Sequence, residues 1–189
     1  MKIVYIHGAN ATSMSFNYIR SNILVDDHIV DYQSQCGFFN NLSRLVDELK
    51  QFNDIFFVAH SLGGIYALHI ANILPQHVIG AVSLSTPYGG SEAANFMKFL
   101  VPCSRLLRDI GPYSEPISAG KKIMIRHPWA NIVSTAGSSA LLPTKNDGVV
   151  TLESMQSRND IDLYEIPVNH YEIVLSPATV NIINSRLPN

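Results

Sequence analysis

The fold of this chain is decided by the stretch Ile55-Phe56-Phe57-Val58-Ala59-His60-Ser61-Leu62-Gly63-Gly64-Ile65-Tyr66. Its first four residues are β-branched or aromatic, which predicts a buried strand, and apolar residues at helical spacing follow from Ile65 onward. Ser61 lies between the two, with the small residues Ala59 and Gly63 two positions to either side. A strand, a sharp turn and a helix with Ser at the apex form a nucleophile elbow. The alternative is a serine that merely falls in a glycine-containing turn after a strand.

Apolar runs alternate with helical patterns on both sides of this stretch. Strands are predicted at residues 3–6, 28–32, 55–58, 78–84, 129–135 and 162–166, and helices at 15–24, 42–52, from the elbow to about 74, and at 178–187. Such alternation predicts a compact α/β fold with a mostly parallel central sheet and helices on both faces. Because parallel strands all end at one sheet edge, the loops beginning at His7, Ser61 and Ser85 should meet there.

The length of 189 residues favours a single domain over residues 1–189. Residues 91–122 interrupt the alternation with two apolar helical patterns separated by Pro102, followed by a loose segment to Gly120. Two interpretations stay open for this lid-like insertion. Its helices either pack simply on the sheet, or they form a lid over an apolar acyl pocket.

The composition excludes several classes of function. A net charge of −2 argues against a nucleic-acid partner, and the His and Cys residues lack paired metal-ligand spacing. The first strand ends in His-Gly-Ala-Asn, without a dinucleotide fingerprint, so neither a metal nor a cofactor is expected. Cys36 and Cys103 are expected to be reduced thiols. With no signal peptide or transmembrane run, a cytoplasmic protein is expected, while the sequence indicates no oligomeric state.

A serine becomes nucleophilic when a base takes its proton, and that base is usually a histidine oriented by an acid. Among seven histidines, His170 alone lies in the loop after the last strand, at the predicted edge. Asp147 lies after the preceding strand and is the predicted acid, although Asn-Asp-Gly is also a common turn sequence. His60 adjoins Ser61, but because side chains alternate along a strand it is expected to point away from the site.

The negative oxygen that develops during acyl transfer needs fixed hydrogen-bond donors. The backbone N–H of Leu62, at the start of the helix after Ser61, is the first predicted donor. The second should come from the loop after the first strand, and the N–H of Ala9 is favoured over that of Asn10.

These segments resemble the α/β-hydrolase superfamily, and within it the small bacterial lipases and esterases. The resemblance is carried by residues 3–10, 59–63, 85–91, 147–148 and 169–170. Two residues depart from the pattern: Ala59 replaces the first glycine of the elbow, and Tyr88 stands where lipases often have histidine. Four residues are candidates for contact with substrate: Asn10, Tyr88, Phe96 and Phe99.

The chain is therefore expected to be a serine hydrolase that cleaves small carboxylic esters through an acyl group on Ser61. Apolar side chains of the insertion, such as Phe96 and Phe99, suggest an apolar acyl group. The same three catalytic residues would also serve a thioesterase, an amidase or an acyltransferase. A binding protein on this fold without turnover is a further alternative.

Overall fold

Within residues 1–101, 103–142 and 144–188, which this computed structural model describes, six strands form one sheet. The side chains of Phe96, Lys98, Phe99 and Leu100 lie outside the description. The strands are β1 (Lys2–Ile6), β2 (Asp27–Val30), β3 (Ile55–His60), β4 (Val78–Leu84), β5 (Trp129–Ser134) and β6 (Asp162–Ile166). They lie in the order β2-β1-β3-β4-β5-β6, and each neighbouring pair is parallel, which confirms the predicted α/β fold.

Helices cover both faces of this sheet. They are α1 (Asn17–Asn22), α2 (Phe38–Leu49), α3 (Leu62–Ile73), α4 (Glu92–Leu100), α5 (Arg105–Asp109), α6 (Glu115–Gly120), α7 (Leu152–Met155) and α8 (Pro177–Arg186). None of these helices, within the part of the chain that is described, is long and apolar enough to cross a membrane.

The two larger apolar cores of the described residues lie on opposite faces of the sheet, because successive side chains of a strand point to opposite faces. In β1, Val4 and Ile6 join the core built with α2 and α3. Ile3 and Tyr5 join the core built with α1, α8 and the 3₁₀ turn Glu172–Leu175. The β3 residues Phe56 and Val58 also belong to this second core, so the side chain of His60, two residues further on, leaves the strand on that same face.

In its described residues, the insertion at residues 91–122 contains three short helices instead of the two that the sequence predicted. The additional helix is α6, where we expected a loose segment because of its proline and glycine. Pro116 occupies the first turn of α6. Backbone N–H groups there have no partner within the helix, so the N–H that proline lacks is not needed. The helix is also tied to the domain, because the carbonyl of Pro116 lies 3.0 Å from Nε2 of His69 on α3.

Candidate active site

Ser61 occupies a strained turn between β3 and α3. Its backbone angles are φ 53° and ψ −120°, a conformation that L-residues rarely adopt and that costs about 1–3 kcal/mol. Two contacts hold the turn in place: the Ser61 N–H donates to the carbonyl of Leu84 at 2.8 Å, and the Thr86 hydroxyl donates to the Ser61 carbonyl at 3.1 Å. The end of β4 and the loop after it therefore fix the backbone of the elbow.

At Gly63 and Gly64, the first turn of α3 lies too close to its neighbours for any larger residue. A Cβ on Gly63 would come within 2.1 Å of the Ile6 carbonyl oxygen, and one on Gly64 within 2.0 Å of the Thr86 hydroxyl. Both distances are far below van der Waals contact. The two glycines thus let α3 approach the end of β1 and the loop after β4, which brings Leu62 beside the loop that holds Gly8 and Ala9.

Asp147 and His170 form a buried pair in the loops after β5 and β6. Nδ1 of His170 lies 2.7 Å from Oδ2 of Asp147, and the two side chains are almost fully buried. The other carboxylate oxygen accepts the N–H groups of Val149 and Val150 at 3.0 and 2.8 Å. Burial raises the pKa of Asp147, but the hydrogen bond and charge of His170 and the hydrogen bond from Ser134 outweigh it, so the pKa falls below its usual value. The carboxylate is therefore ionised at neutral pH.

Two serines that the sequence did not single out extend this pair. The hydroxyl of Ser134, the last residue of β5, donates to Oδ2 of Asp147. Since that hydroxyl has only one proton, it accepts from the Ser85 hydroxyl, whose oxygen lies 2.6 Å away. Ser85 itself has a positive φ of 48° directly after β4. The position of Ser85 at the carboxyl edge of the sheet could have marked it as a candidate site residue. Its hydrogen bond to Ser134, however, depends on the register between β4 and β5.

One pocket of about 250 Å³ brings these loops together. Ser61 and His170 both line it, as do Ala9 and Leu62. The insertion contributes Ser91 and Ile110, so it forms part of the pocket wall. The remaining lining residues come from the loops after the strands and from the 3₁₀ turns: Gly8, Asn10, Ala11, Ser15, His60, Pro87, Val149, Val150, Tyr171 and Val174.

The structure places the candidate substrate-contacting residues differently with respect to the pocket. Asn10 lines the pocket, and its backbone N–H donates to the Ser34 hydroxyl at 2.9 Å. Tyr88 requires a correction, because it is buried away from the pocket. Its hydroxyl donates to the Ser83 hydroxyl at 2.9 Å and accepts from the Trp129 indole at 2.7 Å, and burial raises its pKa to about 12.

Phe96 and Phe99 were predicted to contact the acyl group. Their side chains lie outside the described residues, so this stays a prediction.

His60 also requires a correction, because it does not point away from the site. Its side chain lines the pocket, and its Nε2 lies 2.9 Å from the backbone carbonyl oxygen of His170. The alternation of side chains along β3 holds, and it places His60 on the face with α1 and α8. The loop that carries His170 comes down over that same face, which the sequence of β3 alone could not reveal.

Across the described ranges, no three His, Cys, Asp or Glu side chains come together as a metal site would require. Cys36 and Cys103 are both exposed and unpaired.

Comparison with known proteins places the chain in a family. Residues 3–167 match the model of the alpha/beta hydrolase family, and the chain belongs to that family. Membership supports a hydrolase activity on a small molecule in general terms. No curated protein sequence matches the chain significantly.

Solved structures with the same fold include several hydrolases. The lipase BlEst2 of Bacillus licheniformis, in its mature form, superposes with a TM-score of 0.81 at 16% identity, over 97% of this chain and 90% of the lipase. A metagenomic carboxyl esterase gives 0.75 at 17% identity, over 92% of this chain and 65% of the esterase. An N-formylmaleamic acid deformylase from Pseudomonas putida gives 0.67 at 12% identity, over 96% and 90%. At these identities the likeness establishes the fold.

Proposed function

We propose that the chain is a serine hydrolase that cleaves small carboxylic esters through an acyl group on Ser61. One observation carries the proposal. The strained Ser61 and His170 line a single pocket, and buried Asp147 is hydrogen-bonded to His170 from behind, although the three residues follow three different strands. This arrangement is not expected for the alternative interpretation, in which Ser61 merely falls in a glycine-containing turn after a strand.

The arrangement assigns a role to each atom. Because Nδ1 of His170 donates to Asp147, Nε2 is free to take the Ser61 proton while the serine oxygen attacks the ester carbonyl. The resulting oxyanion accepts hydrogen bonds from the N–H groups of Leu62 and Ala9. The C–O bond to the alcohol then breaks, and His170 returns its proton to the leaving oxygen. A water molecule, deprotonated by His170, releases the acid and restores Ser61.

The hydrogen-bond pattern supports this choice of oxyanion donors. Leu62 is the first residue of α3, where backbone N–H groups have no partner within the helix. The N–H of Asn10 is taken by Ser34, which favours Ala9 as the second donor. Loss of one such donor costs about 2.7–4 kcal/mol of transition-state stabilisation in measured cases.

The decisive experiment is labelling with a fluorophosphonate, followed by mass spectrometry of the adduct, on the wild type and on Ser61→Ala. We expect a single adduct on Ser61, and a loss of roughly 10⁴–10⁶ in ester hydrolysis in Ser61→Ala. Normal ester turnover by Ser61→Ala would reject the mechanism. A parallel panel of oxygen esters, thioesters and amides tests the substrate class, since thioesterases and amidases use the same chemistry and one structural neighbour is a deformylase.

A further inference from the structure

The loop that carries His170 has to cross two strands to reach Ser61. β6 is separated from β3 by β4 and β5 in the sheet, which at about 4.8 Å per strand is a distance of roughly 14 Å. Asp147 follows β5, the neighbour of β6, so its contact with His170 does not bring the loop as far as β3. For His170 to share the pocket with Ser61, its loop therefore needs a contact on the β3 side of that pocket.

Three hydrogen bonds hold His170. Its N–H donates to the carbonyl of Asp147 at 3.1 Å, and its Nδ1 lies 2.7 Å from the Asp147 carboxylate. The third joins the carbonyl of His170 to Nε2 of His60 at 2.9 Å. The first two position the base relative to its acid. The third positions it relative to the nucleophile, because His60 precedes Ser61 in the chain.

The chemistry of this third bond is well defined. A carbonyl oxygen can only accept, so Nε2 of His60 carries the proton and Nδ1 does not. Burial, together with repulsion from His170, lowers the pKa of His60 to about 3, so the ring is neutral. A neutral ring suits this place, because the two imidazole centroids are only 4.9 Å apart and His170 becomes positively charged during turnover.

Gly8 provides the space for the His60 ring. A Cβ on Gly8 would lie 3.0 Å from Nδ1 of His60 and 3.2 Å from the Cβ of Ser61. The absence of a side chain at Gly8 thus lets the ring sit between the loop after β1 and the loop after β6.

We propose that His60 is a positioning residue, which holds the backbone of His170 at the distance from Ser61 that proton transfer requires. This inference rests on the proposed function. It assigns a role to a buried histidine that takes no part in the bond-making steps.

The test compares His60→Leu, which cannot donate a hydrogen bond, with His60→Gln, whose side-chain amide can. The rates are normalised to the concentration of sites that react with fluorophosphonate. We expect His60→Leu to lower kcat by about 10- to 100-fold with KM within about twofold, because small displacements of a catalytic group cost that much. His60→Gln should recover kcat to within about fivefold of the wild type.

His69 provides a matched control. Like His60 it is 6% exposed, and its Nε2 lies 3.0 Å from a backbone carbonyl, that of Pro116, but it does not line the pocket. His69→Leu should lower thermal stability and leave the normalised kcat unchanged. If His60→Leu behaves in the same way, His60 is merely structural and the proposal is wrong. A variant His60→Gln as slow as His60→Leu would contradict it equally.

A measurement on the wild type covers the case in which His60→Leu does not fold. In a ¹⁵N-histidine NMR spectrum at pH 7, His60 should be the neutral tautomer protonated at Nε2. A proton on Nδ1, or a charged ring, would overturn the proposal. The two proposals fail separately, because a wild type that no fluorophosphonate labels rejects the serine-hydrolase mechanism whatever tautomer His60 has.

Discussion

The two walls of the pocket are built in different ways. The wall at the sheet edge consists of the loops after the strands, where Ser61, Asp147 and His170 are buried and fixed by hydrogen bonds to neighbouring strands. The opposite wall belongs to residues 91–122, whose three helices have only nine, five and six residues. Helices this short are not stable alone, so the second wall depends on individual contacts with the domain.

Hydrogen bonds between the described residues provide several of these contacts. The carboxylate of Asp109 accepts the N–H of Phe38 at 2.8 Å, and Arg158 donates to the carbonyls of Gly120 and Ile123 at 3.0 and 2.8 Å. By contrast, Tyr113 in the middle of the insertion is 88% exposed. From this difference we propose that the sheet edge performs the chemistry and that the insertion selects the substrate.

After Ser61→Ala, the largest effect should come from Asp147→Asn at the sheet edge. We expect kcat to fall by about 10⁴-fold, because an amide no longer fixes the tautomer of His170 or stabilises its positive charge. The lowered pKa of Asp147 means that its interactions stabilise the folded protein above the unfolded-state value of about 3.9, and are lost as the pH falls through the lowered pKa. The carboxylate therefore stays ionised from pH 5 to 9, and its own titration should contribute no change in the wild-type rate over that range.

Asp160→Asn is the matched control for that experiment. Asp160 also has a lowered pKa, because its hydrogen bond and ion pair with Arg158 outweigh the opposing effect of burial, but it lies away from the pocket. We expect its ester kcat to stay within about twofold of the wild type. A loss below tenfold in Asp147→Asn, measured over the same pH range, would remove Asp147 from the mechanism.

A second comparison uses one glycine of α3, beside the sheet edge, and one glycine of the insertion. Gly63→Ala places a methyl group 2.1 Å from the backbone oxygen of Ile6, which cannot move aside, so the free energy of unfolding should fall by about 3 kcal/mol or more. Gly111→Ala in the insertion meets nothing closer than the Leu107 carbonyl oxygen at 3.9 Å. Its unfolding free energy should change by no more than about 1 kcal/mol. Urea denaturation measures both, and equal losses would contradict the contrast.

The sequence was sufficient to predict the fold because strands and helices each leave a local pattern of residues. The sequence predicted β4 and β6 at their observed bounds, and the residues around Ser61 predicted the turn from β3 into α3. Parallel topology then indicated which loops would meet. On that basis alone, Asp147 and His170 were selected from all the acids and histidines of the chain.

What the sequence could not provide depends on contacts between distant segments. The direction of His60 was wrong because the path of the loop after β6 decides what faces it. Ser134 went unnoticed because its bond to Asp147 depends on how the loop after β5 folds back. Helix α6 was missed because its contact with His69 has no local signature, and Tyr88 was misplaced because Ser83 and Trp129 bind its hydroxyl.

The smallest predicted effect concerns the selection of substrate by the insertion. Ile110 is half-buried and lines the pocket, so Ile110→Ala should enlarge the space available to an apolar acyl group. We expect the ratio of kcat/KM for longer to shorter acyl chains to rise by about 3- to 10-fold. One methylene group that fits an apolar pocket changes kcat/KM by about tenfold or more, and Ile110 forms only part of the pocket wall. Esters of one alcohol with acyl chains of graded length measure this ratio.

Ile117→Ala is the control that separates selection from stability. Ile117 is also an isoleucine of the insertion, but it is buried in the core with α2 and α3 and does not line the pocket. Truncating it should cost about 2–5 kcal/mol of unfolding free energy and leave the chain-length ratio unchanged. If both variants shift the ratio equally, the insertion acts on the pocket only through its packing, and the wall does not select the acyl group by direct contact.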